Sequence, residues 1–268
     1  MSSIEKVKDE YPEEYCTILE VAYGDGFLSE GGTEAIDNLL VGFELENKEI
    51  LDIGSGLGGA ATYIAQKHRA LVTGIEINQQ MVDESNCRLI DSLKDDVKFL
   101  YYNDINHLPF PSESFDLVYS KGVFLHLDVP DKLALFKEIF RVLKKDSYFI
   151  IGDWLSPKNG DWGDKMKQMM ESDGLTLFAN TEEDYRQVIT RAGFKLISIS
   201  DFNDQYLKYN MEIVEHLKKN EIQKLLKNKF DDKEINSTIH GYQLIVDSIN
   251  EKELLVRKIL SKKIDPSS

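Results

Sequence analysis

The stretch at residues 51–59, L-D-I-G-S-G-L-G-G, constrains this chain more than any other. It joins a short apolar run to an amphipathic one. Its glycines let the backbone turn tightly and approach a ligand closely, while a helix beginning near Leu57 points its positive N-terminal end at the same place. The spacing fits G-x-G-x-x-G, which without context is merely a strand-to-helix turn. Placed after an apolar strand and before an amphipathic helix, it reads as a nucleotide-type site. The same alternation continues from residue 49 to about 155. It predicts strands at 49–53, 70–77, 97–103, 115–120 and 148–155, with helices near 57–68, 79–93 and 130–145. Pro130 in a first helical turn, followed by Asp131, supports the last helix.

Beyond the core, Thr181-Glu182-Glu183 reads as a helix start, residues 194–202 and 254–261 as two further strands, and about 206–250 as a long charged helical stretch. The expected fold is α/β: a doubly wound, mostly parallel seven-stranded sheet with helical N-terminal and C-terminal lid segments. A single domain is expected overall, with an N-terminal helical lid at 1–48, a ligand-binding core at 49–155, and remaining core elements plus a substrate lid at 156–268. The segment 156–180, rich in Gly, Asp and Met, carries no assigned element.

A formal charge of −15 opposes binding to DNA, RNA or anionic lipid. Lys218, Lys219, Lys224, Lys227 and Lys229 read as the solvated face of a helix, because Leu217, Ile222, Leu225 and Leu226 interleave with them. No apolar run approaches the roughly 18 residues of a membrane span, and the N-terminus has no signal-peptide core. Cys16 and Cys87 offer neither a disulfide framework nor metal-ligand spacing, and read as reduced packing residues. The expectation is a cytoplasmic protein, a monomer, without nucleic-acid partner, membrane insertion or metal.

Three acids at successive strand ends narrow the ligand. Asp52, just ahead of Gly54, disfavours a pyrophosphate by like-charge repulsion and suits a ligand carrying an ammonium. Glu76, 20 residues past Gly56, can accept hydrogen bonds from both ribose hydroxyls. Asp104 is placed to accept from the exocyclic amine of an adenine, with Ile105 beside the ring. S-adenosylmethionine carries an ammonium and a sulfonium and no phosphate. A solvated loop acid is the ordinary reading of any one of these residues; the three together favour that cofactor.

L-D-I-G-S-G-L-G-G, G-I-E-I, N-D-I, F-P-S-E-S-F-D-L-V-Y-S-K-G-V-F-L-H-L and R-V-L-K-K together resemble the class I S-adenosylmethionine-dependent methyltransferases. By that resemblance Asp52, Gly54, Gly56, Glu76, Ile77, Asp104 and Ile105 contact the cofactor, and Lys121 lies near it. A closer likeness, carried by Y-G-D-G-F-L-S-E-G-G-T-E-A, Tyr11 and the L-H-L around His126, is to the phosphoethanolamine, or phosphobase, N-methyltransferases. It implies that Tyr11 and His126 form a catalytic pair, that Leu28 and Ser29 line the cofactor pocket, and that Tyr11, Gly122, His126 and Trp154 meet the substrate.

The positions matching the family's phosphate grip and the aspartate ahead of its L-H-L segment are Gly122, Trp154, Asp173, Leu175 and Ile245, a set poorly suited to a buried dianion. Trp154 can instead stack on an ammonium, with Asp173 adding charge complementarity. The plainer readings are a core histidine for His126, an apolar anchor for Tyr11, a lid-core aromatic for Trp154 and an exposed turn acid for Asp173. The expected activity is methyl transfer from S-adenosylmethionine to the amine nitrogen of a small molecule. Phosphoethanolamine is the default acceptor, and a glycine or sarcosine relative is the alternative. A nicotinamide-dependent oxidoreductase and a non-catalytic methyltransferase-like binding protein stay open as rivals.

Overall fold

The structure is a computed structural model that describes residues 7, 10–158 and 160–264. Its strands are β1 (Glu49–Ile53), β2 (Leu71–Glu76), β3 (Val97–Tyr101), β4 (Phe115–Lys121), β5 (Leu143–Leu155), β6 (Lys195–Asp201) and β7 (Leu255–Lys262). They form one sheet in the order β3-β2-β1-β4-β5-β7-β6. The first five run parallel and β7 lies antiparallel to both neighbours. This is the seven-stranded, mostly parallel sheet that the alternation predicts. Parallel strands covered on both faces read as continuous apolar runs, and Ile50, Leu51, Phe149, Ile150 and Ile151 are fully buried accordingly.

The strand order reverses direction between β1 and β4. The crossover after β1 goes one way and the one after β3 goes the other, so a crevice opens at the carboxyl ends of β1 and β4. The helices α1 (Glu13–Tyr23) and α2 (Gly32–Leu40) precede the sheet, and α3 (Gly59–His68), α4 (Gln79–Arg88) and α5 (Val129–Val142) connect its parallel strands. Further on come α6 (Asp164–Asp173), α7 (Glu182–Arg191), α8 (Asn203–Leu217), α9 (Asn220–Leu226) and α10 (Asp232–Asn250). Trp162, Met166, Met169, Tyr206, Tyr209 and Tyr242 build a second apolar cluster around α6, α8 and α10, into which Ile18 of α1 packs.

Several boundaries differ from expectation for local reasons. α3 begins at Gly59 rather than near 57 because Gly58 adopts a left-handed conformation, φ 84°. α4 stops at Arg88 where Leu89 turns extended, leaving a short 3-10 turn at Asp91–Leu93. α5 ends at Val142 because β5 starts at Leu143. The charged stretch divides into α8, α9 and α10, and Asp231 opens α10 with a reciprocal cap to Glu234. Thr181 caps α7 in the same way through Asp184. The unassigned segment 156–180 contains α6. Cys16 is buried but Cys87 is exposed, so Cys87 is no packing residue. Among the described residues no helix is long and apolar enough to cross a membrane.

Candidate active site

The crevice at the strand ends is a cavity of about 1130 Å³, including its open mouth. Its floor is the glycine turn. The N–H groups of Gly54 and Ser55 both donate to the Ile75 carbonyl, at 2.9 and 3.1 Å, which pins the turn to β2. Gly54 has φ +74°, and a Cβ there would sit 2.4 Å from Val123 Cγ2. Gly54→Ala is therefore expected to destabilise the fold by roughly 2–4 kcal/mol. A thermal midpoint lowered by at least about 4 °C is the readout, and an unchanged midpoint would contradict the packing described.

Glu76 organises the same turn from the other side. Its Oε2 accepts the Gly56 N–H at 3.0 Å, and its Oε1 accepts those of Ile77 and Asn78 at 2.7 and 3.1 Å. Ser85 of α4 adds a bond from Oγ to the Gly56 carbonyl at 3.0 Å. Asp52 lies beneath, 3% exposed, and its Oδ2 is buried without a hydrogen-bond partner. Burial pushes the Asp52 carboxyl up to about 7, although the Tyr119 hydroxyl beside it pulls the other way. Burial likewise raises Glu76 above the usual carboxylate range despite its three backbone donors. Among the described residues no cation offsets the burial of Asp52, and His126 only partly offsets that of Glu76.

Ile77, Ile105 and Tyr102 complete the apolar wall. Asp104 does not join them. It is exposed, is absent from the cavity wall, and its Oδ1 accepts the Asn106 N–H at 2.9 Å, so it shapes the turn after β3. Tyr102 and Ile105 line the cavity and Asp104 stands at the turn beside them, so its contact with an adenine amine stays a proposal.

The N-terminal segment roofs the cavity with Gly26, Phe27, Leu28 and Ser29. It is tied down where the Gly59 N–H donates to the Gly26 carbonyl at 3.0 Å. Lys121, at the end of β4, donates through Nζ to Ser29 Oγ at 2.7 Å and to the Glu30 carbonyl at 2.8 Å. Burial lowers the Lys121 ammonium to about 8, with Glu30 and Asp153 opposing.

The Phe124–His126 turn after β4 presents His126 to the N-terminal segment. Tyr11 OH lies 3.0 Å from His126 Nε2. On the other side of the ring, Nδ1 faces Glu10 Oε2 at 3.4 Å, and both side chains are buried. Glu10 Oε1 accepts the Thr176 N–H at 3.0 Å. Burial raises the Glu10 carboxyl, but the neighbouring His126 ring and the Thr176 N–H outweigh it and leave Glu10 below its ordinary value. Burial holds the Tyr11 hydroxyl far above its ordinary range, so it stays protonated. The arrangement assigns the Nδ1 proton to the Glu10 side and leaves Nε2 to accept from Tyr11.

A second cavity, about 670 Å³, lies beyond this pair. Tyr11, Leu28, Ser29, Gly122 and His126 line both cavities and form their common wall. Trp154, Asp173, Leu175 and Ile245 line the second one. The positions read from sequence as substrate-facing are thus brought together. Asp173, read by default as an exposed turn acid, is partly buried and accepts from Tyr15 OH at 3.4 Å.

A methyltransferase-domain family model matches residues 51–151. The chain is 33% identical over 225 residues to phosphoethanolamine N-methyltransferase of Plasmodium falciparum, covering 82% of each protein. The chain belongs to the phosphoethanolamine N-methyltransferase family. It is also 32% identical over 220 residues to phosphoethanolamine N-methyltransferase 1 of Arabidopsis thaliana, covering 80% of this chain and 43% of that protein. The solved structure of Haemonchus contortus phosphoethanolamine N-methyltransferase 2, in complex with phosphomonomethylethanolamine and S-adenosylhomocysteine, is similar in fold. Its TM-score is 0.86 at 19% identity, over 99% of this chain and 61% of that one. The chain therefore spans less than two thirds of these plant and nematode relatives.

This family member carries two site acids that sequence reasoning passed over. Glu10 sits in the charged run K-V-K-D-E-Y-P-E-E, indistinguishable by pattern from a solvated face. Its one signal is adjacency to Tyr11. Glu30 lies inside the L-S-E-G-G motif, where Leu28 and Ser29 drew the reading. Both acids are buried in the structure.

Proposed function

We infer that this chain, as a member of that family, is an S-adenosylmethionine-dependent N-methyltransferase acting on the amine nitrogen of a small molecule. The larger cavity takes the cofactor and the second takes the acceptor. The observation that carries this reading is the common wall, where Tyr11 and His126 stand between the two spaces. The donor set fits the cofactor. Asp52 has a buried oxygen without a partner for an ammonium, and Ser55 Oγ and the Tyr102 hydroxyl are likewise buried without partners. Gly54 and Gly56 permit close backbone approach, Glu76 would meet the ribose, and Ile77 and Ile105 would flank the adenine.

Bound there, the cofactor supplies an electrophilic methyl group on a sulfonium. The residues of the chain have the remaining task of freeing the nitrogen lone pair, because an ammonium cannot attack. Tyr11 can accept the amine proton through its oxygen as its own proton passes to His126 Nε2. Glu10 then faces the imidazolium at Nδ1 and stabilises it. The N-terminal segment above excludes water from the reacting groups. A cytoplasmic location and a monomeric state belong to the same proposal, supported by the −15 charge and two free cysteines.

A labelled methyl-transfer assay against phosphoethanolamine, ethanolamine, glycine, sarcosine and dimethylglycine tests the activity. Transfer to at least one amine is expected. Cofactor binding without transfer to any would favour the non-catalytic alternative. Cofactor affinity carries its own pH signature. Asp52 has a carboxyl near 7 in the free protein. An ammonium beside it lowers that value in the complex, so affinity is full above about 7 and falls as pH drops through it, by up to about tenfold per unit. Asp52→Asn should flatten that dependence between pH 7.5 and 5.5 in calorimetry. An equally steep loss in the variant would remove Asp52 from the ammonium site.

A further inference from the structure

Charge around the second cavity is distributed in an unusual way for a site that takes an anionic acceptor. Among the described residues lining it, His126 alone can carry positive charge, and that ring is already faced by Glu10. Lys121 lines the other cavity, and its ammonium is held by Ser29 and the Glu30 carbonyl at the border between the two. Two carboxyls do line the second cavity, Glu30 and Asp173. Glu30 is 4% exposed, and its Oε1 is buried with no hydrogen-bond partner. The remaining wall mixes aliphatic side chains with the aromatic rings of Tyr15, Tyr23, Trp154 and Tyr242.

Resting on the methyltransferase reading, we propose that the second cavity binds a small amine free of anionic groups, held as a cation by Glu30, Asp173 and the surrounding aromatic faces. The physical grounds are direct. A phosphate dianion taken from water needs positive partners or several converging donors; here hydroxyls such as those of Tyr23, Tyr242, Ser29 and Thr238 stand beside two carboxyls, with no lysine or arginine among the described lining residues. An amino-acid carboxylate would meet the same two groups. A cationic amine gains from each of them, and from ring faces whose negative potential attracts ammonium groups.

The ionisation of the two acids agrees with this occupant. Burial raises Glu30 above the ordinary carboxylate range, Lys121 offsetting part of the effect. Burial pushes Asp173 up to about 6, against the Tyr15 hydroxyl. The acceptor enters as an ammonium, is anchored by these acids, and presents its nitrogen to Tyr11 at the common wall, where one proton leaves through the pair described above. The nitrogen then forms the new bond to carbon as the carbon–sulfur bond breaks and its electron pair stays on sulfur.

The test pairs each amine with its anionic counterpart on the full chain saturated with S-adenosylhomocysteine: ethanolamine and N,N-dimethylethanolamine against their phosphate esters, and n-propylamine against β-alanine. Calorimetry reads binding, and labelled cofactor reads turnover in parallel. The expected result is at least 30-fold tighter binding of the non-anionic member of each pair, with Glu30→Gln and Asp173→Asn each weakening it several-fold while cofactor affinity stays unchanged. Binding of this kind without turnover supports the site inference and sinks the activity reading alone. Turnover with the phosphate esters preferred, equal binding within pairs, or no amine binding to the cofactor-product complex each overturns the inference.

Discussion

Replacing His126 by alanine should lower kcat for methyl transfer by roughly 10²–10³-fold while leaving S-adenosylmethionine affinity within about twofold, the range expected when a proton acceptor is removed. The split follows from where the side chain sits. His126 touches Tyr11 through Nε2 and faces Glu10 through Nδ1, while of the groups assigned to the cofactor Glu76 holds the glycine turn and Asp52 is buried beneath it. Alanine therefore removes the proton's destination and leaves that turn intact. The measurement is steady-state kinetics at saturating cofactor alongside calorimetric cofactor binding. A rate within threefold of the parent would exclude the histidine from proton removal.

Glu76→Ala is expected to act on the opposite parameter. Cofactor affinity should fall at least 100-fold, equivalent to about 2.7 kcal/mol, with kcat at saturating cofactor reduced far less. One carboxylate fixes the N–H groups of Gly56, Ile77 and Asn78, so its loss leaves three donors unmatched as well as removing the ribose acceptor. The turn would loosen, and the thermal midpoint should drop too. Glu76→Gln separates the effects, since it retains an acceptor oxygen for the turn but not the charge. A Glu76→Ala protein with parental cofactor affinity would show that the strand-end acid does not read the ribose.

Much of this fold is legible from periodicity because the physical cause is local. β1 and β5 are apolar runs buried on both faces, and Thr181 and Asp184 form a helix start within four residues. Boundaries slipped where one backbone angle decided them, as at Gly58, or where a strand took over directly, as at Leu143. α6 went unassigned because its buried residues are chiefly Met166 and Met169, set among charged neighbours and flanked by Gly163 and Gly174.

The site was legible for a different reason. Asp52, Gly54 and Glu76 belong to a turn whose spacing is fixed by close contact with the backbone. Asp104 is less legible, because an acid after a strand looks the same in sequence whether it meets a ligand or caps the turn to Asn106. Tyr11 and His126 stand 115 residues apart, and only resemblance paired them ahead of the structure. Glu10 and Glu30 had no comparable cue: their burial depends on long-range packing of the N-terminal segment over the sheet ends, which no local pattern encodes.

We propose that Tyr11 and His126 act as one proton path at the wall between cofactor and acceptor. A double-mutant cycle in single turnover, with methyl-labelled S-adenosylmethionine and the best amine of the panel, tests it most directly. Tyr11→Phe and His126→Ala are each expected to slow appearance of label in the N-methylated product, with the double variant hardly slower than the worse single one. Losses that multiply in full, or label that stays on the cofactor with every amine in the parent protein, would contradict it.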